Sequence, residues 1–299
     1  MKRILTFILF LTFVISLYGC AYIAPRDEAI VVTDDMGREI NLPNAPVRIV
    51  SLAPSNTEFL FALGLDEKIA GITDLCNYPT EVAQKEKVGG FSDPSVEKII
   101  ALKPDLVVAA SLHEAVVKQL DQLNIPVIVL NAQNIQQILA NVEMLGKVTG
   151  ADRAAEELIN RINADLKLVD DKIQNLSADE MPLVYFEVWN DPIMTAGPYT
   201  FIDELITRAG GVNIAADAPV DYPVYTLEEL LARKPEVMLY THGVETAEQI
   251  MDRANWDNMP ALENGRVYIV NEDLVMRPGP RIVEGLIAIS QKLHPDLWK

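Results

Sequence analysis

From Ile30 onward, apolar residues follow two alternating patterns. Residues 48–52, 69–73, 105–110 and 126–130 are short, nearly unbroken apolar runs. Such runs suit strands covered on both faces. Between them, residues 55–63, 95–102 and 114–123 carry apolar side chains at helical spacing; Gly64 follows the first and Pro104 the second, as helix stops. Strand alternating with helix predicts βαβ units around a mostly parallel sheet.

The middle of the chain breaks this rhythm. Ala155, Leu158, Ile159, Ile162, Leu166, Val169, Ile173 and Leu176 recur every three or four positions, a single helical stripe. A helix over 151–176 is ~39 Å long at 1.5 Å per residue, and with no strand to interrupt it, it reads as a connector. Alternation then resumes, with a strand from Pro182, a helix over 201–208, strands over 237–240 and 266–270, and a last helix over 282–293. The pattern predicts an α/β protein of two Rossmann-like lobes, with mostly parallel sheets, joined by one long helix and enclosing a cleft. The N-terminal lobe spans 30–133, the connecting helical segment 134–180 and the C-terminal lobe 181–299.

The two lobes echo each other. FSDPSVEKIIALKPDLV, from Phe91, aligns without a gap on YPVYTLEELLARKPEVM, from Tyr222. Phe91 meets Tyr222, Ser95 meets Thr226, Glu97 meets Glu228, and Lys103-Pro104 meets Lys234-Pro235. Ser95 and Thr226 suit helix N-caps, and Thr226 with Glu229 forms a capping box. Glu97 and Glu228 then fall in the first helical turn, where a carboxylate faces the positive helix end. That role accounts for one such glutamate, but not for a matched pair.

Composition narrows the function. The chain of 299 residues is 49% apolar, which is globular, and its formal charge of −18 argues against a nucleic-acid partner. Lys2 and Arg3 precede an apolar run ending Leu17-Tyr18-Gly19-Cys20, which reads as an n-region and h-region. Residues 1–19 are therefore expected to be a lipoprotein signal peptide, Cys20 the lipidated residue and 20–29 a tether. The mature protein is expected outside the cytoplasm, anchored by lipid to a membrane. Cys76 then has no disulfide partner and reads as a small buried residue. His113 and His242 read as surface or loop histidines, and His294 as structural. No nucleophile elbow, P-loop, zinc-helix or dinucleotide fingerprint occurs.

SLAPSNTE from Ser51, TDLCNYP from Thr73, VGGFSDPSVEK from Val88, LKPDLVV from Leu102 and RPGPR from Arg277 together resemble the helical-backbone periplasmic binding proteins of ABC importers. The NYP and RPGPR runs are most similar to the vitamin B12-binding branch. The resemblance implies no enzyme and no resident cofactor. It implies a monomer that takes a small chelate, a cobalt corrinoid or else a ferric siderophore or haem, and delivers it to a permease dimer. It implies Tyr78, Phe91, Trp189 and Tyr222 as aromatic ligand contacts and Glu97 and Glu228 as permease-docking residues, with Arg277 and Arg281 available for polar contacts. A reading of another class is a metallocluster-related enzyme or assembly protein on a similar scaffold, but a cluster needs several thiolates.

Overall fold

The structure, a computed structural model, describes residues 29–241 and 246–299. The signal segment, Cys20, almost all of the tether and His242 lie outside the described residues.

Four parallel strands form the N-terminal sheet: β3 (Ile49–Ser51), β4 (Ile69–Ile72), β5 (Leu106–Ala110) and β6 (Val127–Leu130), in the order β4-β3-β5-β6. Helices α1 (Pro54–Ala62), α2 (Val96–Ala101) and α3 (Glu114–Gln122) connect them. The C-terminal sheet contains β7 (Leu183–Asn190), β9 (Val212–Asn213), β10 (Val237–Tyr240) and β11 (Val267–Ile269), parallel in the order β9-β7-β10-β11. Its helices are α6 (Phe201–Arg208), α7 (Leu227–Ala232), α8 (Ala247–Met251), α9 (Pro260–Glu263), α10 (Glu272–Val275) and α11 (Ile282–Leu293). The strand orders of the two sheets correspond, position by position. Two antiparallel additions escape the sequence reading: a hairpin of β1 (Ile30–Thr33) and β2 (Glu39–Leu42), and β8 (Ile193–Thr195) folded back on the end of β7.

The unbroken apolar strands are explained by burial on both faces. In β5, Leu106 and Val108 enter one core while Val107 and Ala109 enter another. In β10, Val237 and Leu239 share the first of these cores, and Met238 and Tyr240 enter a third. The first core runs through both lobes, from Ile49 and Phe59 by way of Leu158 and Ile162 to Phe186 and Leu286. The lobes thus share a continuous apolar interior.

The long helix predicted over 151–176 is present, and a second helix, not foreseen as such, precedes it within the connecting segment. α4 (Ile135–Thr149) and α5 (Asp152–Ile173) pack against each other, and α5 also packs against α11. Asn134 caps α4 by accepting the Gln137 N–H. A Cβ at Gly146 would lie 2.5 Å from the Cβ of Ala155, so the close approach of the two helices requires glycine there. α5 buries Ala155, Leu158, Ile162, Leu166 and Val169, the stripe read from the sequence.

The internal echo is structural as well. Ser95 accepts the Lys98 N–H at the start of α2, and Thr226 and Glu229 form the expected box at the start of α7. After each helix, the acidic residue following proline ties down the neighbouring strand. Asp105 accepts the N–H groups of Val47 and Arg48 before β3, and Glu236 accepts the Leu183 N–H at the start of β7.

Candidate ligand cleft

Open parallel sheets leave their crevice at the carboxyl ends of the strands. Here Ala53, Ala110 and Asn131, just past or at the ends of β3, β5 and β6, line one cavity of about 560 Å³. Asp74, Leu75, Asn77 and Phe91 reach it from loops of the N-terminal lobe. The C-terminal lobe supplies Glu272 and Asp273 from α10, and Met276, Arg277 and Pro278 from the segment after it. The size is in the range of small-molecule sites.

Charged groups fix the two lobes against each other beside this cavity. Glu58 lies on α1, and its carboxylate is almost fully buried. Arg281 donates to it through two nitrogens, each at 2.8 Å, and Arg277 donates at 3.2 Å. Arg277 also donates to Asn77 Oδ1 at 2.7 Å and pairs with Asp273 at 2.6 Å, while Asn77 Nδ2 donates to Asp273 at 2.9 Å. The paired guanidinium–carboxylate fork is the strong, directional form of this interaction. Its hydrogen bond with Glu58 also holds the Arg281 pKa above its ordinary value. RPGPR is thus more than a turn before α11: its first arginine faces the cleft and its last is committed to Glu58.

The sequence-predicted contacts do not all converge. Phe91 and Arg277 line the same cavity. Tyr78 lines a different one, of about 440 Å³, with Glu58, Arg281, Leu158 and Arg161, and the Arg281 guanidinium sits 3.8 Å from the Tyr78 ring centroid. Trp189, at the end of β7, is exposed and donates from Nε1 to the Asp191 carbonyl at 2.9 Å. Tyr222 is exposed on a segment that runs along β8, tied by Gly197 N–H to Asp221 O and Tyr225 N–H to Ile193 O. Neither side chain belongs to the wall of the Phe91 cavity. Glu97 and Glu228 are exposed in the first turns of α2 and α7, as expected.

Glu58, Asn77 and Asp273 were not anticipated. The i,i+4 spacing of Asp273 and Arg277 was a readable signal; the pairing of Glu58 with residues more than 200 positions away was not. Cys76 is buried as expected, with its sulfur 3.1 Å from Thr57 Oγ1. His113 corrects the sequence reading. It is buried, not on the surface, because both ring nitrogens meet backbone groups: Nδ1 faces the Ala110 N–H and Nε2 the Phe91 carbonyl.

Two lobes of matching topology, braced by packed helices and meeting at a walled cleft, define a two-lobed binding protein. Residues 49–274 match the periplasmic binding protein family, and the chain belongs to it. It is 37% identical over 276 residues to the uncharacterized ABC transporter substrate-binding lipoprotein YvrC of Bacillus subtilis, covering 90% of this chain and 87% of that one. It is 28% identical over 256 residues to a vitamin B12-binding protein of Vibrio parahaemolyticus, covering 84% and 91%. Among solved structures, a possible iron-binding periplasmic solute-binding protein from Staphylococcus epidermidis superposes with a TM-score of 0.75 at 28% identity, covering 84% of this chain and all of that one.

Proposed function

We propose that the protein is the lipid-anchored receptor of an ABC importer and that its ligand is a corrinoid. The observation that carries the ligand reading is the charge of the cleft. Asp74, Glu272 and Asp273 line it together with Arg277, whose guanidinium is already paired with Asp273. Carboxylate-rich walls repel an anionic ferric chelate or the propionates of haem. A corrinoid is neutral to cationic and is rimmed with primary amides, which donate to carboxylates and accept from an arginine. Phe91 offers an aromatic face for the macrocycle; Trp189 and Tyr222 are exposed outside that cavity, and Tyr78 stays with Arg281 in the neighbouring one. The vitamin B12-binding relative favours the same ligand. The name of the Staphylococcus structure favours the second reading, a ferric chelate.

In this scheme Cys20 carries the lipid, as the lipoprotein name of YvrC suggests. Glu97 and Glu228, one on each lobe, dock to a symmetric permease dimer. Titration of the purified protein with cyanocobalamin, ferrichrome and haem, followed by tryptophan fluorescence, tests the ligand. Cyanocobalamin is expected to bind with a Kd of nanomolar order, about −12 kcal/mol. Tight ferrichrome binding with no response to cyanocobalamin would move the assignment to the second reading.

A further inference from the structure

We propose that His113 is a positioning residue for the cleft: its Nε2–H holds the Phe91 carbonyl and so fixes the aromatic wall that the ligand meets. The proposal rests on the reading of the Phe91 cavity as the ligand site.

The loop carrying Phe91 is pinned at its base. Ser95 N–H donates to the Val88 carbonyl at 2.8 Å, and Asp74 N–H donates to the Gly89 carbonyl at 2.9 Å. Gly89 has φ of 116°, a conformation closed to other residues without strain. At the tip, the Phe91 carbonyl is held by His113 Nε2 at 2.6 Å. The other ring nitrogen faces the Ala110 N–H at 3.0 Å. A backbone N–H only donates, so Nδ1 offers its lone pair; a carbonyl only accepts, so Nε2 carries the hydrogen. The partners therefore dictate one tautomer of the uncharged ring. Burial favours the same form, pushing the imidazole pKa below its ordinary value.

The two partners of this ring are both cavity wall: Ala110 ends β5, and Phe91 is the aromatic contact. The Phe91 ring also meets the imidazole edge to face, at 5.6 Å and 87°. One buried side chain thus couples the end of a strand to the loop tip opposite it, while staying out of the cavity itself.

Two near-isosteres separate the bonds. In His113→Gln the amide nitrogen takes the place of Nε2 and still donates to Phe91. In His113→Asn the amide oxygen takes the place of Nδ1, still accepts from Ala110, and no longer reaches Phe91. Cyanocobalamin affinity is measured for both variants, with and without Phe91→Ala. His113→Asn is expected to weaken binding about threefold to tenfold, the effect of losing one hydrogen bond that orders a contact. His113→Gln is expected to stay within about twofold of the parent, by the same comparison. In the Phe91→Ala background His113→Asn should have no further effect. An equal loss from Gln and Asn, or the same loss from Asn once Phe91 is removed, would overturn the proposal and leave His113 a general packing residue. If the parent protein binds no cyanocobalamin, the ligand reading fails separately. Imidazole nitrogen NMR then decides the hold on Phe91: an Nε2–H tautomer supports it, and an Nδ1–H tautomer rejects it.

Discussion

Lys103 and Lys234 lie 131 residues apart and share one unusual backbone conformation, with φ of 48° and 49°. Each follows the C-cap of a short helix, donates its N–H back into that helix, and precedes a proline that starts the run into a strand. The left-handed residue reverses the chain, and proline prevents the helix from continuing. Asn124 and Asn255 repeat the same offset, with φ of 57° and 68°. The repeat therefore extends into backbone geometry beyond the aligned run.

That geometry predicts how substitutions at the two lysines behave. Glycine removes a left-handed cost of about 1–2 kcal/mol but adds about 0.5–1 kcal/mol of unfolded-state entropy. Lys103→Gly and Lys234→Gly are each expected to leave stability unchanged or raise it by up to about 1.5 kcal/mol. Valine at either site is expected to destabilise by about 1–2 kcal/mol. Urea denaturation of the four variants checks both directions, and opposite responses in the two lobes would contradict the structural repeat.

Glu58 is buried beneath two arginines from the other lobe. Glu58→Ala strands both guanidiniums and is expected to cost about 3–5 kcal/mol, the scale of breaking a buried ion pair on one side. Combining it with Arg281→Met should recover part of the loss. A cost below about 1 kcal/mol, as for a surface pair, would show that the clasp contributes little to holding the lobes.

The two exposed glutamates predict a separation of function. Glu97→Lys with Glu228→Lys is expected to leave cyanocobalamin affinity unchanged, since neither residue lines the cleft. Each change should cost about 0.3–1 kcal/mol through the helix dipole. Uptake in vesicles carrying the cognate importer should be lost. Normal uptake by the double variant would reduce both residues to helix-start carboxylates.

His113 gives stability a pH dependence with a definite sign. Burial lowers its folded pKa from 6.5, so below about that pH the unfolded chain takes up a proton that the native ring refuses. Stability is expected to be full above pH 6.5 and to fall as the pH drops below it. Glu229, held low by the Thr226 hydrogen bonds, and Asp217, held low by Arg233, lose their contributions only at more acid pH. Thermal melts between pH 7.5 and 5.5 should show a shallower slope for His113→Gln than for the parent. Identical slopes would place the titration elsewhere.

In the proposed scheme, lipid anchoring rests on Cys20. Metabolic fatty-acid labelling is expected to mark the parent protein and fail on Cys20→Ser, which lacks the thiol that accepts the lipid. Label retained by Cys20→Ser would rule out lipidation at this position.

The sequence by itself determined the α/β class, most strand and helix positions, the stripe on α5 and the matched lobes. These are local or periodic properties: a strand covered on both faces must be apolar throughout, and a helix with one buried face must repeat at 3.6 residues. It also marked Ser95 and Thr226 as caps, because capping is settled within four residues. Only the tertiary structure decided which side chains share a cavity. Glu58 reads as a polar interruption in α1 until Arg277 and Arg281 come down on it, and His113 reads as a surface or loop histidine until its ring meets Phe91 and Ala110. Tyr78 and Phe91 look alike as aromatics near glycine or proline, but the Arg281 ring contact draws Tyr78 to a different cavity. The hairpin β1–β2 and the return strand β8 were hidden for the same reason. They are three or four residues long, so even the alternation of β2, with Ile40 and Leu42 buried and Glu39 and Asn41 exposed, is too brief to stand out, and the strands are held by their ladder partners.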